Sequence, residues 1–286
     1  MKIITTVREL QNSIKSINLK PLGFVPTMGA LHEGHLSLVK NAAAECPLVV
    51  VSIYVNPTQF NDKEDLKRYP RTPDADLKLL DTVLREGDLV FTPSDSEIYP
   101  TEDKRVFHFG NLDNVMEAKR RPGHFNGVAQ VVSRLFEIVK PDIAYFGQKD
   151  FQQVAVIREL VRQLNYHIKI SSNPIVREPD GLAMSSRNRL LELHIRKDAP
   201  VIFETISRAA EMIVERDIPE IKKYVTGNIN ERKGFEVEYF EIADERELMT
   251  VESRKEMKKG KKYFGCIAVK AGNIRLIDNI EFQLAK

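Results

Sequence analysis

The chain has 286 residues, of which 42% are hydrophobic and 29% are charged. This length suits two domains of roughly 150 residues, and the composition is that of a globular protein with a charged surface. The 43 basic and 41 acidic residues leave a net charge of only +2, which creates no field that would attract a nucleic acid. We therefore expect no nucleic-acid partner.

The sequence pattern contains neither a membrane span nor a secretion signal. No apolar stretch approaches the ~20 residues of a membrane span, and the N-terminus lacks the apolar core of a signal peptide. Cys46 and Cys266 lie far apart, each beside apolar or small residues, which is typical of buried reduced thiols. These features predict a cytoplasmic protein that contacts no membrane.

Strand-like runs alternate with helix-period segments between residues 22 and 172. The strand candidates are residues 23–25, 48–55, 89–91, 143–146 and 168–171. The helix candidates are residues 36–46, 76–85, 128–139 and 151–164. This alternation predicts an α/β fold with a doubly wound, Rossmann-like parallel sheet and helices on both of its faces. Such sheets bind ligands at the carboxyl ends of their strands, where the winding reverses.

The pattern changes after Pro174. Residues 190–216 and 218–230 are predicted to be helices, and residues 235–242, 263–270 and 274–277 to be strands. Helices followed by antiparallel strands indicate a smaller α+β domain. We place the N-terminal domain at residues 1–175 and the C-terminal domain at residues 176–286.

The most informative segment is residues 26–35, which follow the first predicted strand of this alternation and precede a helix. A glycine turn between a strand and a helix start presents free backbone N–H groups to an anion, and the helix dipole favours negative charge there. His32 and His35 can add imidazole donors to a phosphate at this point. Zinc is the rival ligand, but its helical motif needs histidines four residues apart, and these are three apart with Gly34 between them. A structural histidine pair is the third interpretation.

Three further segments carry polar side chains at element ends, and each has a structural alternative. Residues 54–60 follow a strand, where Asn56 and Gln59 can both donate to and accept from a small hydroxy acid, although Asn-Pro is also an ordinary strand terminator. Residues 145–153 lead into a helix, where Lys149 can meet phosphate and Asp150 can accept from ribose hydroxyls. Asp150 could instead cap that helix, with Gln153 three residues on.

The last segment, residues 177–189, contains two serines followed by Arg187 on a turn-rich stretch. Hydroxyls beside an arginine form a phosphate clamp on a loop that can move. A serine-rich surface loop is the alternative interpretation.

Taken together, these segments resemble the pantothenate synthetase family, also called the pantoate–β-alanine ligases. The HxGH stretch at residues 32–35 and the MSSR stretch at residues 184–187 are similar to the paired HIGH and KMSKS-type motifs of the wider nucleotidyl-transferase superfamily. The narrower family is indicated by six stretches in chain order: PTMG at residues 26–29, VNPTQF at 55–60, YPRT at 69–72, RPGHFNGV at 121–128, GQKD at 147–150 and DGLAMSSRN at 180–188. The last hundred residues carry no such motif.

The resemblance implies ATP-dependent condensation of (R)-pantoate with β-alanine through a pantoyl adenylate, a step of pantothenate and coenzyme A biosynthesis that releases AMP and diphosphate. It implies magnesium as the metal and a homodimer as the assembly. His35, His32 and Lys149 would be catalytic, and Gln59, Gln153 and Asn56 would bind pantoate, with Gln59 also bordering β-alanine. The ATP site would comprise Met28, Gly29, Ala30, Leu31, His32, Glu33, Gly34, His35, Gly147, Gln148, Lys149, Asp150, Val176, Met184, Ser185, Ser186 and Arg187.

Asp76 falls where the family places an acidic residue near the magnesium ion, but its neighbour is Ala75, where some members have a second carboxylate. Two other functions fit parts of the pattern. A cytidylyl- or adenylyl-transferase shares the fold and the HxGH stretch, but its phosphate nucleophile needs cations where this chain has the neutral Asn56, Gln59 and Gln153. A nucleotide-binding module without catalysis would not need His32, His35, Lys149 and Arg187 all intact.

Overall fold

A doubly wound parallel sheet forms the centre of the larger domain in the computed structural model, which describes residues 1–60 and 63–284. The sheet order is β1-β4-β3-β2-β5-β6, and all the pairings are parallel. The winding reverses at β2, which pairs with β3 on one side and β5 on the other. The strands are β1 (Lys2–Ile4), β2 (Leu22–Thr27), β3 (Leu48–Ile53), β4 (Leu89–Phe91), β5 (Ile143–Gly147) and β6 (Lys169–Asn173).

Both faces of this sheet are covered by helices, which explains the unbroken apolar runs in its strands. In β3, Val49 and Val51 enter the core on one face, whereas Leu48 and Val50 enter the core on the other, because successive side chains of a strand point to opposite faces. The helices of this domain are α1 (Val7–Ile17), α2 (Glu33–Glu45), α3 (Lys63–Arg68), α4 (Pro73–Asp81), α5 (Asp95–Ile98), α6 (Met116–Arg120), α7 (His124–Val139) and α8 (Phe151–Gln163).

The smaller domain packs three helices against an antiparallel sheet of order β7-β8-β9. Its elements are α9 (Leu193–Asp198), α10 (Val201–Met212), α11 (Ile218–Asn230), β7 (Phe235–Asp244), β8 (Tyr263–Ala271) and β9 (Ile274–Phe282). The predicted α+β architecture is therefore confirmed. The proposed boundary between residues 175 and 176 falls in the connection that follows β6.

One predicted helix is wrong. Residues 190–216 do not form a continuous helix, because a 3-10 helix (Ser186–Leu190), α9 and α10 follow one another in this region. Pro200 stands directly before α10, and a proline cannot supply the backbone N–H that a helix passing through it would need.

The two domains are packed against each other. The rings of Phe151 in α8 and Phe264 in β8 lie 4.5 Å apart between centroids, and Cys266 joins the same apolar cluster as the N-terminal helices. Glu117 in α6 accepts from both the Arg275 guanidinium and the Tyr239 hydroxyl of the smaller domain. Asn279 of β9 donates to the carbonyls of Gln148 and Lys149, which directly follow β5. Among the described residues, no helix is both long and apolar enough to cross a membrane.

Candidate active site at the switch point of the sheet

The two histidines of the HxGH stretch form a reciprocal cap at the start of α2. The Nδ1 atom of His32 accepts from the backbone N–H of Gly34 at 3.1 Å, and the Nδ1 atom of His35 accepts from the N–H of His32 at 3.3 Å. Their ring centroids are 4.1 Å apart. Because each Nδ1 is an acceptor, each neutral ring carries its proton on Nε2, which is left to donate to a ligand.

Gly34 makes this arrangement possible. A Cβ atom at this position would lie 2.8 Å from Cε1 and 2.9 Å from Nδ1 of His32. Any side chain would therefore push the His32 ring out of its capping position. The glycine between the histidines, which weakens a zinc interpretation of the sequence, is required by the packing of the rings.

Both imidazoles are held in the neutral form in this cleft. Burial lowers the pKa of His32 to about 4, and the Lys149 and Arg189 cations act in the same direction. Burial, the His32 ring and Lys149 lower the pKa of His35 to about 3. At neutral pH the pair therefore offers two Nε2–H donors without adding positive charge.

The turn before α2 is fixed by Asp76 of α4. Its carboxylate accepts from the backbone N–H groups of Ala30 at 2.9 Å and Leu31 at 2.7 Å, and from the Thr72 hydroxyl at 3.1 Å. The side chain lies in the interior, with only 1% of the residue exposed. Gly29 (φ 77°) and Ala30 (φ 49°) adopt left-handed conformations here, which these two buried charge-assisted bonds stabilise.

Gln59 is held from three sides at the carboxyl end of β3. The Asn56 amide donates to Gln59 Oε1 at 3.3 Å, Gln59 Nε2 contacts the Met28 sulfur at 3.0 Å, and the His124 ring donates through Nδ1 to the Gln59 carbonyl at 2.8 Å. Asn56 itself is 1% exposed, and its Oδ1 also accepts from Tyr99 at 3.1 Å. The structure thus brings Met28, Asn56 and Gln59 together.

The turn of residues 147–150 lies at the end of β5, on the other side of the switch point. Lys149 reaches across to the smaller domain, where its Nζ donates to the Met184 carbonyl at 3.0 Å. Burial in the cleft lowers the pKa of Lys149, although Asp150 and Asp278 oppose this shift. Asp150 makes no side-chain hydrogen bond to the start of α8, so its predicted alternative role as a cap is not seen. Gln153 lies half-buried in the first turn of α8.

The loop of residues 176–187 closes the cleft from the smaller domain. The Val176 carbonyl accepts from Met184 N–H at 3.0 Å, and Val176 Cβ would lie 4.0 Å from a Cβ at Gly34. Ser185 caps the 3-10 helix by accepting from Arg187 N–H at 3.2 Å, and Ser186 begins that helix. The Arg187 guanidinium lies 5.7 Å from the Tyr69 ring centroid. The loop therefore also contacts the segment of the N-terminal domain that follows β3.

Several residues that shape this cleft were given no role from the sequence. His124 lies in the RPGHFNGV stretch, and its burial, with Arg121 alongside, lowers its pKa to about 4. Tyr69 lies in the YPRT stretch. Asp278 and Asn279 of β9 belong to the region without motifs, and no local signal marks them.

The switch point of a doubly wound sheet, occupied by a capped HxGH helix start and covered by a second domain, defines a nucleotide-binding α/β protein of the HxGH type. A profile of the Pantoate-beta-alanine ligase family matches residues 2–281. The chain is 52% identical over 286 residues to a pantothenate synthetase from Azobacteroides pseudotrichonymphae, covering 99% of this chain and 100% of that protein. It is 48% identical to the pantothenate synthetase of Bacteroides thetaiotaomicron, covering 99% of both.

Solved structures give the same answer. A pantothenate synthetase from Thermus thermophilus matches with a TM-score of 0.90 at 39% identity and covers 99% of both chains. A pantoate-β-alanine ligase from Francisella tularensis, solved with β-γ ATP and β-alanine, matches with a TM-score of 0.79 at 35% identity, covering 98% of this chain and 97% of that one. The chain belongs to the pantoate–β-alanine ligase family.

Proposed function

We propose that this protein condenses pantoate with β-alanine at the expense of ATP, through a pantoyl adenylate, and releases AMP and diphosphate. The observation that carries the proposal is the pair of Nε2–H donors at the start of α2, which face the cleft beside Lys149. Membership of the ligase family supports the choice of substrates, as does the Francisella tularensis relative that was solved with β-γ ATP and β-alanine.

In the first step, a pantoate carboxylate oxygen attacks the α-phosphorus of ATP. The bond to the bridging oxygen breaks, and diphosphate leaves with its electron pair. The carboxylate is already ionised at neutral pH, so this step needs alignment and charge neutralisation and not a strong base. His32, His35, Lys149 and Arg187 supply donors and positive charge for this task.

In the second step, the neutral amine of β-alanine attacks the acyl carbon of the adenylate. The bond from this carbon to the phosphate oxygen breaks, AMP leaves with the electron pair, and the nitrogen loses one proton as the amide forms. The acyl adenylate is easily hydrolysed, so the cleft must exclude water while it waits for the amine. The bond between Lys149 and the Met184 carbonyl supports this role for the loop, because it closes the cleft at the point where the two domains meet.

Gln59 and Gln153 are proposed to hold pantoate through their neutral amides, with Gln59 also bordering the β-alanine site. Asn56 acts through Gln59, since its own amide and carbonyl groups are taken up by protein partners. The remaining predicted ATP contacts, including Glu33, Gly147, Gln148 and Asp150, lie at the two element ends that flank the switch point.

Magnesium is part of the proposal, but Asp76 does not fit as its ligand. Both oxygens of its carboxylate already accept from loop groups, and the described residues contain no cluster of three His, Cys, Asp or Glu side chains that could hold a metal. Magnesium retains water and binds substrate phosphates readily. We propose that it arrives with the ATP phosphates and not in a carboxylate cage.

We further propose a homodimer in the cytoplasm, where reduced thiols persist. Residues 103–107 lie beside α7 outside any helix or strand, and Asn126 and Gln130 bond to the backbone of Arg105 and Phe107. Val106 between them is 68% exposed. An exposed stretch of this kind can meet its counterpart in a second copy about a two-fold axis. A monomer mass in light scattering at micromolar concentration would contradict the dimer.

Quenched turnover tests the proposed reaction directly. Protein mixed with ATP, magnesium and pantoate, without β-alanine, should accumulate a tightly held pantoyl adenylate that mass spectrometry detects. Labelled diphosphate should exchange into ATP only when pantoate is present. Formation of ADP and an acyl phosphate would place the protein in another ligase class. Exchange of diphosphate into ATP without pantoate would show that pantoate is not the acid that is activated.

A further inference from the structure

Strand β9 of the smaller domain passes beside the turn that carries Lys149. Asn279 is 3% exposed, and its Nδ2 donates to the Gln148 carbonyl at 2.9 Å and to the Lys149 carbonyl at 3.2 Å. An amide nitrogen has two hydrogens, so both are used on this turn. Only the amide nitrogen can make these bonds, because both partners are acceptors.

The preceding residue holds the other half of the cleft. Asp278 forms a two-point ion pair with Arg177, with bonds of 2.6 and 2.9 Å. The Arg177 guanidinium also donates to the Gly181 carbonyl at 3.1 Å and stacks 3.6 Å from the Phe203 ring centroid. Arg177 and Ala183 are bridged by backbone bonds. The ion pair between Asp278 and Arg177 therefore anchors the loop of residues 176–187.

Consecutive strand residues point to opposite faces, which is why neighbouring side chains can hold two separate pieces of the site. Asn279 holds the turn of residues 147–150, and Asp278 holds the loop of residues 176–187. The bond from Lys149 Nζ to the Met184 carbonyl then spans the two pieces at 3.0 Å. The distance between the lysine and the loop is therefore set from β9.

We propose that Asn279 is a positioning residue for adenylate formation, acting through the backbone of Lys149, and that Asp278 positions the facing loop. This inference rests on the proposed function. It predicts that β9 determines catalysis although it contributes no side chain to the predicted contacts with ATP or pantoate. The proposed pantoate residue Gln59 is held separately, because its partners Asn56 and His124 both lie in the N-terminal domain.

The test compares Asn279→Ala and Asn279→Asp with the wild-type chain. Asn279→Ala removes the two donors and leaves space, whereas Asn279→Asp keeps the volume and places an acceptor against two carbonyls. For both variants we expect kcat of pantoate-dependent diphosphate exchange to fall by about tenfold to a hundredfold, since small misplacements of reacting groups have effects of this size. The KM for pantoate should change by less than about twofold.

Asn228→Ala is the matched control, because Asn228 lies in the same domain and its amide donates to the Thr205 hydroxyl at 2.7 Å, away from the cleft. It should lower the melting temperature without lowering kcat per folded molecule. Asn279 variants that lose stability like this control but keep wild-type kcat would overturn the inference. If Asn279→Asp does not fold, because it buries a carboxylate against two carbonyls, the kcat of Asn279→Ala decides. Absence of exchange in the wild-type chain would instead refute the proposed function.

Discussion

His32 and His35 each use their two ring nitrogens for different purposes. The Nδ1 atoms accept from backbone N–H groups at the start of α2, so the helix itself selects the tautomer. The Nε2–H groups are thereby aimed away from the helix backbone. Because burial keeps the pKa of each ring at about 4 or below, neither should titrate in the free protein near neutral pH. The rings can therefore donate hydrogen bonds to phosphate throughout the physiological range.

Replacing His35 by alanine tests whether its ring donates to the phosphate during the reaction. We expect kcat to fall about a hundredfold or more, as when one preorganised donor is removed from a transition state. The fold should survive, since the lost cap bond is long at 3.3 Å. Steady-state kinetics with circular dichroism would check both points. The exposed His194 in α9 provides the control, and near-normal turnover of a folded His35→Ala protein would contradict the assigned role.

The residues that could be assigned from the sequence are those whose signal is local. His32, His35, Lys149 and Arg187 all stand in short motifs at element ends, and the structure brings all four to one cleft. The role of Asp76 could not be found in this way, because the amides that it binds lie 45 and 46 residues away in the chain. Asn279 is 130 residues from Lys149, and only the folded chain reveals their contact.

At the scale of elements, α7 supports the segment that carries Asn56 and Gln59. It packs against the 3-10 helix Pro57–Gln59, and Gly127 is the residue that allows the close approach. A Cβ at this position would lie 2.5 Å from the Thr58 carbonyl oxygen and 2.8 Å from Gln59 Cα. Both obstacles are backbone atoms, so they cannot move aside as a flexible side chain would.

Gly127→Ala should therefore destabilise the protein by about 1–3 kcal/mol, the usual cost of overpacking, and raise the KM for pantoate by displacing Gln59. Gly227→Ala is the control in α11, where a Cβ meets no heavy atom within 4 Å. That change should stabilise the protein by about 0.5–1 kcal/mol, because alanine is the better helix former. Urea unfolding measures both, and equal effects of the two changes would refute the packing argument.

Element prediction succeeded where the periodicity was clear and failed at short or interrupted segments. The strands of the parallel sheet follow from their apolar runs, including the three-residue β4, whose residues are all buried. The equally short β1 begins with a lysine and buries only Ile4, so it carries no such run. The single helix predicted over residues 190–216 is an error of the other kind, because separate shorter helices were joined into one. Its apolar period continues through Pro200, while the backbone chemistry of proline ends one helix and begins the next.

At the scale of the whole molecule, a charged contact joins the two domains. Glu117 of the N-terminal domain receives two bonds of 2.7 Å from Arg275 and one of 2.6 Å from Tyr239, and Arg275 also pairs with Glu238 at 2.7 Å. Burial opposes ionisation of Glu117, but the bonds from Arg275 and Tyr239 outweigh it, so its pKa is lowered. The ionised carboxylate is therefore part of the folded state.

Glu117→Gln should reduce the free energy of unfolding by about 1–3 kcal/mol at neutral pH, less than for a fully buried pair because Arg275 keeps Glu238. A lowered folded pKa stabilises the protein above the unfolded value of about 4.3, and the gain is lost as pH falls through the folded pKa. The difference between wild type and variant should therefore shrink in acid. Denaturant titrations over a pH series measure it.

The control for this change is Glu159→Gln, whose partner Arg162 is largely exposed. Solvent screens such surface pairs, so they contribute little to stability. A loss at Glu117 no larger than the loss at Glu159, or a difference that stays constant into acid, would show that the contact does not stabilise the docked domains.

The positions of the two thiols have a practical consequence. Cys46 is packed under Gly23 inside the N-terminal domain, whereas Cys266 lies in the cluster shared by both domains, opposite Asn279 in the β8–β9 ladder. Burial raises the pKa of both thiols, so alkylating reagents find almost no thiolate in the native protein. Cys266 becomes reactive when the domains part, but Cys46 becomes reactive only when its own domain opens. The ratio of their labelling rates separates the opening of the cleft from unfolding, without any dye or engineered probe.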